Sequence, residues 1–156
     1  MSLELGGKSP NIIFEDADIG SAVNGVIAGI FAASGQSCVA GSRLLVQDTV
    51  YEKFLTALKT RAASIIIGDP LDPTSEMGPM ATQTQLTLVE RMVATALAQG
   101  AELIHGGKRA AVAGDGWYFE PTILAVDDNQ CSIMQEEVFG PVASIMRFKD
   151  LSLIHI

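Results

Sequence analysis

The chain has 156 residues, 48% of them hydrophobic, and a net charge of −8, so it can bury the core of one domain and not of two. Its Lys and Arg are scattered singly among 18 acids; no basic stripe could neutralise a phosphate backbone, which argues against a nucleic-acid partner. Cys38 and Cys131 form neither a disulfide framework nor a metal-ligand spacing, so a reducing compartment, the cytoplasm, is expected.

Ser9 to Phe14 is a short apolar run opened by proline and closed by acids, the pattern of a buried strand. Asp16 or Asp18 can then cap a helix whose apolar positions Val23, Val26, Ile27, Ile30 and Phe31 recur every three or four residues. No charged residue occurs from Ile19 to Ser42, which places this segment in the interior. Ala22 to Ala33 is apolar but falls short of the ~20 residues a membrane span needs, and no secretory signal opens the chain; no membrane partner is expected.

The helix should end near Ser34-Gly35, and Arg43 to Gln47 reads as the next strand, so Cys38 falls in a helix-to-strand connection, where functional side chains are commonly displayed. Thr49-Val50-Tyr51-Glu52 has the form of a capping box, followed by an amphipathic helix carried by Tyr51, Phe54, Leu55, Leu58, Ala62 and Ile65. A turn-rich loop at Gly68 to Thr74 precedes a third helix, marked by Leu86, Val89, Val93, Ala96 and Leu97 and stopped by Gly100. Glu102 to His105 and Thr122 to Val126 are strand candidates, separated by a glycine-rich excursion expected to be mobile. Within it, Trp117, Tyr118 and Phe119 should anchor core or interface. Ser144 to Phe148 completes an alternation of helices and strands that predicts a parallel α/β sheet.

Cys38 is the residue with chemical potential. It follows Phe31-Ala32-Ala33-Ser34-Gly35-Gln36-Ser37, where packing residues give way to small and polar ones. A thiolate that attacks a carbonyl needs a nearby base or positive field, a place for the developing oxyanion and close approach by the substrate. Small neighbours permit that approach. Taken alone, a free cysteine is more often an inert packed residue, and Glu4 would be an ordinary solvated acid. Gly6-Gly7-Lys8-Ser9 is not a phosphate loop, because Ser2 stands where the required glycine should be and Pro10 obstructs the following helix. His105 beside Gly106-Gly107 is a turn residue, and one histidine cannot make a metal site; no metal is expected.

Three segments read together change that balance. Leu3 to Pro10 (Leu-Glu-Leu-Gly-Gly-Lys-Ser-Pro), Phe31 to Arg43 around Gly-Gln-Ser-Cys, and Gln135 to Val142 (Gln-Glu-Glu-Val-Phe-Gly-Pro-Val) resemble the glutamate, cysteine and cofactor motifs of the aldehyde dehydrogenase superfamily. The similarity runs from Leu3 to about Asp150, and implies an incomplete parallel-sheet α/β catalytic domain over residues 1–150. It implies Cys38 as the nucleophile that forms a thiohemiacetal and then a thioester, and Glu4 as the base for hydrolysis, its pKa raised by partial shielding. Branches of the family that pass the acyl group to coenzyme A lack this glutamate, so its presence implies a free carboxylic acid as product.

The resemblance further implies that the backbone at Leu5 and Gly6 lies against the nicotinamide of NAD or NADP. Glu137 would accept hydrogen bonds from the adjacent ribose and Phe139 would lie beside it. Ser37 and Val39 would shape the tunnel for a small-molecule aldehyde. Cys131 has no accompanying base and is expected to be inert. No Gly-x-Gly-x-x-Gly fingerprint occurs, and the family's dinucleotide-binding domain, an oxyanion asparagine and the oligomer contact of a homodimeric or homotetrameric parent belong to segments outside this chain. The fragment is therefore expected to be inactive alone. Residues 151–156 (Leu-Ser-Leu-Ile-His-Ile) match the translation of a transposon-end sequencing adapter and are expected to be a non-native tail. Two readings from other classes stay open on the residues alone: a non-catalytic assembly module that keeps the fold, and a cofactor-independent thiol esterase using Cys38 and Glu4.

Overall fold

The computed structural model describes residues 1–112 and 114–150; the expectation for 151–156 lies outside them. Five strands form one sheet: β1 (Pro10–Ile13), β2 (Arg43–Gln47), β3 (Glu102–His105), β4 (Thr122–Ala125) and β5 (Val142–Phe148), in the order β1-β2-β5-β4-β3. Neighbours pair in parallel except β3 with β4. The helices are α1 (Ile19–Val26), α2 (Asp48–Ala63), α3 (Gln83–Ala98) and the single turn α4 (Ser132–Gln135).

The three central strands are apolar on both faces because both faces are covered. Successive side chains point to opposite sides. Leu44, Val46, Ile123 and Ile145 therefore join Val23, Val26, Tyr51, Phe54 and Leu58 of α1 and α2 in one core. Leu45, Leu124 and Met146 join Leu86, Val89 and Val93 of α3, with Ile133 of α4, in the other. Most of these side chains are fully buried, each contributing about 1.5–3 kcal/mol relative to exposure.

Several expectations need correction. The run Ser9 to Phe14 does form a strand, but it lies at the sheet edge, with Pro10 and Ile12 exposed. An edge is where a proline lacking its N–H is tolerated. The sheet is mostly, not wholly, parallel: the chain returns from β3 to β4 without a crossover helix, and these two strands pair antiparallel. Along that return, Trp117 O accepts from Met80 N at 3.0 Å and Ala110 N donates to Tyr118 O at 3.1 Å. Tyr118 and Phe119 are buried, whereas Trp117 is 41% exposed.

The uncharged segment from Ile19 to Ser42 is not interior throughout. Asp18 caps α1 by accepting from Ser21 N at 2.8 Å, and Val23, Val26, Ile30 and Phe31 are buried. The opposite face, Ser21, Asn24, Gly25, Ala28, Gly29 and Ala32, is exposed. The capping box at Thr49 does not form, because β2 runs directly into α2 and makes Gln47 the N-cap. Thr49 Oγ1 donates to Glu15 Oε2 at 3.1 Å instead. The third helix stops as expected before Gly100, which takes φ +97°. No helix among the described residues is long and apolar enough to cross a membrane.

Candidate active site

The thiol is presented by a strained connection. Beyond α1 the helix widens into a π turn at Ile27–Phe31 and tightens over Ala32–Gly35, where Ala33 (φ 49°), Ser34 (φ 55°) and Gly35 (φ 71°) are left-handed. For Ala and Ser that conformation costs about 1–2 kcal/mol per residue. Neighbouring groups hold it. The buried Ser34 Oγ donates to Gly78 O at 2.8 Å, with Pro79 O at 3.2 Å, and Gln36 Oε1 accepts from Ala81 N at 2.8 Å. The chain then turns over Ser37 to Ala40, closed by Ala40 N to Ser37 O at 3.0 Å. Cys38 and Val39 form the tip of this turn and are exposed.

A second segment meets the first. Val138 is buried, whereas Glu137 is half-buried and Phe139 is exposed. Phe139 is also left-handed (φ 52°), and Gln85 Nε2, from the first turn of α3, donates to Val138 O (2.9 Å) and Phe139 O (3.1 Å). Among the described residues, Ala33, Ser34 and Phe139 are the non-glycine positions with positive φ, and all three lie here; such strain concentrates where geometry is functional. Gly35 joins the two segments, since a Cβ there would sit 2.0 Å from Gly140 O. Gly35→Ala in the full-length protein is expected to destabilise by about 2–4 kcal/mol, measurable by thermal melting.

The third wall is the segment before β1. A Cβ on Gly6 would lie 1.9 Å from Glu137 Oε2, and one on Gly7 would lie 3.1 Å from Cys38 O. A side chain at position 6 would have to displace the Glu137 carboxylate. The result is a recess of about 500 Å³ lined by Glu4, Leu5, Gly6, Gln36, Ser37, Cys38, Glu137 and Phe139. Of the residues singled out from sequence, Val39 alone is not in this lining; it is 77% exposed at the turn tip. Gln36 lines the recess without having been assigned a role, and Gln85 braces it from behind. A polar side chain on a core-facing helix turn was the only sequence signal for Gln85. A second recess of about 780 Å³, walled by Trp117 and Met80, shares Gln36 and Phe139 with the first.

Three buried side-chain atoms among the described residues lack hydrogen-bond partners: Glu137 Oε1, of a residue that lines the recess, and Lys8 Nζ and Arg43 Nε, of residues that do not. Burial, and then the Arg43 guanidinium, pull the Lys8 ammonium down to about 8, against the opposing attraction of Glu137. Glu4 is exposed, so the described residues do not supply the shielding expected for it. The lining suits a nicotinamide nucleoside: the Glu137 carboxylate borders the recess and can accept from ribose hydroxyls, and the backbone at Gly6 carries no side chain into it. No cluster of His, Cys, Asp and Glu among the described residues could hold a metal. Cys131 is free, and its Sγ lies 3.3 Å from Gln99 Oε1, outside the recess.

The model of the aldehyde dehydrogenase family matches residues 1–154, and the chain belongs to that family. It is 43% identical to retinal dehydrogenase 2 of Mus musculus over 97% of this chain and 29% of that protein. It is likewise 43% identical to a betaine aldehyde dehydrogenase of Rhizobium etli over 96% of this chain and 31% of that protein. A crystal structure of a betaine aldehyde dehydrogenase point mutant from Staphylococcus aureus, in complex with NAD+ and with a BME-modified cysteine, superposes with a TM-score of 0.92 at 43% identity. That superposition covers 94% of this chain and 30% of that one. The chain thus spans about 30% of the length of the relatives it matches.

Proposed function

We propose that the protein to which this chain belongs oxidises a small-molecule aldehyde to a carboxylic acid with NAD+ or NADP+, and that residues 1–150 are part of its catalytic domain. The observation that carries the reading is the convergence of Cys38, Glu4, Glu137 and Phe139 on one recess. In this reading the Cys38 thiolate adds to the aldehyde carbonyl, giving a thiohemiacetal on Sγ. The bound nicotinamide supplies the acceptor for the hydride. Loss of hydride leaves an acyl thioester on Cys38, and Glu4 takes a proton from the water that attacks it. Glu137 and Phe139 hold the ribose and its surroundings, Leu5 and Gly6 offer backbone to the nicotinamide, and Ser37 borders the substrate. Family membership and the exposed thiol support these roles, as does the BME-modified cysteine named for the Staphylococcus aureus relative.

We also infer a cytoplasmic parent, from its unpaired cysteines, and a homodimeric or homotetrameric one, from the family resemblance. The isolated chain is expected to give no measurable turnover, because its recess offers contacts for the nicotinamide side of the cofactor alone. Near-ultraviolet absorbance of reduced nicotinamide tests both statements. The full-length protein should produce it with aldehyde and the purified chain should not. An inactive full-length protein, across a panel of aliphatic and aromatic aldehydes with either cofactor, would sink the reading.

A further inference from the structure

The residues that lead into α3 grip both walls of the recess. Met80 is buried and its N–H donates to Trp117 O at 3.0 Å, while Thr82 caps the helix by accepting from Gln85 N at 3.2 Å, so the backbone between them is fixed at each end. On one side this stretch meets the nucleophile turn, where Ala81 N donates to Gln36 Oε1 at 2.8 Å. On the other, Gln85 Nε2 donates to the carbonyls of Val138 and Phe139 at 2.9 and 3.1 Å. Val89, further along α3, lies against the same segment, since a Cβ on Gly140 would meet its Cγ2 at 2.5 Å. The short stretch from Ala81 to Gln85 therefore sets the spacing between the turn that carries the thiol and the segment that carries Phe139.

Gln36 is the link in this bracket that has no role in the chemistry above. It stands two residues before Cys38, its N–H closes on the carbonyl of left-handed Ala33 at 3.1 Å, and its side chain reaches Ala81, 45 positions away in sequence. The fold has little need of this bond. Ala81 is exposed, so water can accept from its N–H once the glutamine is gone. Water cannot hold the turn. Resting on the reading that Cys38 is the nucleophile, we propose that Gln36 is a positioning residue for the thiol: it ties the Ser37–Ala40 turn to the bracket that also holds Phe139, and so fixes Sγ, with the aldehyde carbon bonded to it, relative to the cofactor. Hydride departure depends on that approach, and a displacement of about 1 Å can slow such a step about 100-fold.

The test is Gln36→Met in the full-length protein, a change that keeps an unbranched side chain and removes its acceptor. Single-turnover stopped-flow absorbance, with enzyme in excess over aldehyde and dinucleotide saturating, should show hydride transfer slowed about 10- to 100-fold. Equilibrium affinity for the dinucleotide should stay within about threefold of the parent. The rate at which iodoacetamide alkylates Cys38, followed by mass spectrometry of its peptide, should also stay within about threefold, because the thiol remains exposed and this reagent does not need it aimed. The melting temperature should stay within about 3 °C. An unchanged rate of hydride transfer would overturn the inference. So would a dinucleotide affinity that falls with it, which would make Gln36 a cofactor contact, or alkylation that slows in step, which would place the effect on ionisation of the thiol beside Glu4 and Glu137. A larger fall in melting temperature would assign the bond to the fold and overturn it equally. A parent that transfers no hydride, or that still does so with Cys38→Ala, defeats the proposed function itself, and that failure is seen without any change at Gln36.

Discussion

Cys38→Ala in the full-length protein is expected to reduce aldehyde oxidation by about 10⁴-fold or more, the loss seen when a covalent nucleophile is removed. The fold should scarcely register the change. Cys38 is exposed at the tip of the Ser37–Ala40 turn, and a surface substitution of that kind shifts stability by no more than about 0.5 kcal/mol. The conformation presenting the thiol is maintained by Ser34, Gln36 and the contact of Gly35 with Gly140, none of which involves the sulfur. Cys131→Ala is the internal control: that thiol lies against Gln99, away from the recess, and its removal should leave turnover intact. Steady-state kinetics of the two variants, with the stoichiometry of alkylation by iodoacetamide, separates the possibilities. Full activity in Cys38→Ala would remove the thiol from the mechanism and with it the covalent route.

What could be read from the residues was local. Arg43 to Gln47 and Glu102 to His105 are strands with the bounds that their composition predicts, and the helical periodicity around Phe54 and Val89 places those side chains in the core. The errors concern neighbours distant in sequence. An apolar run such as Ile12-Ile13 reads alike at a sheet's edge and at its centre, because pairing partners decide its burial. The direction of β3 depends on the path taken through Trp117, and the open face of α1 shows that lack of charge is not burial. The residues proposed for the chemistry were legible because they sit in short contiguous motifs. The groups that hold those motifs in place were not: Ser34 reaches Gly78, Gln36 reaches Ala81 and Gln85 reaches Phe139, contacts that exist only after folding. The left-handed Ala33 and Phe139 run against their intrinsic preferences, and only the structure reveals them.

Glu4→Gln should separate the two halves of the reaction. Formation of the thiohemiacetal and departure of hydride need the Cys38 thiolate and a bound nicotinamide; hydrolysis of the acyl thioester needs a group that removes a proton from water. Glutamine has nearly the same shape as glutamate but cannot take up that proton, and general-base contributions run to about 10²–10⁴-fold. The variant should therefore show a rapid burst of reduced nicotinamide of about one per active site, followed by steady turnover slowed by roughly that factor. Because Glu4 is exposed and makes no hydrogen bond among the described residues that would be lost, the substitution should leave the melting temperature unchanged. Stopped-flow absorbance distinguishes the outcomes. A burst that disappears in step with the steady rate would move Glu4 to activation of the thiol, whereas a steady rate equal to wild type would leave the water without this base. A burst that survives while turnover collapses requires Glu4 to act after hydride has left, and so ties the acid at the head of the chain to the acyl group on Cys38.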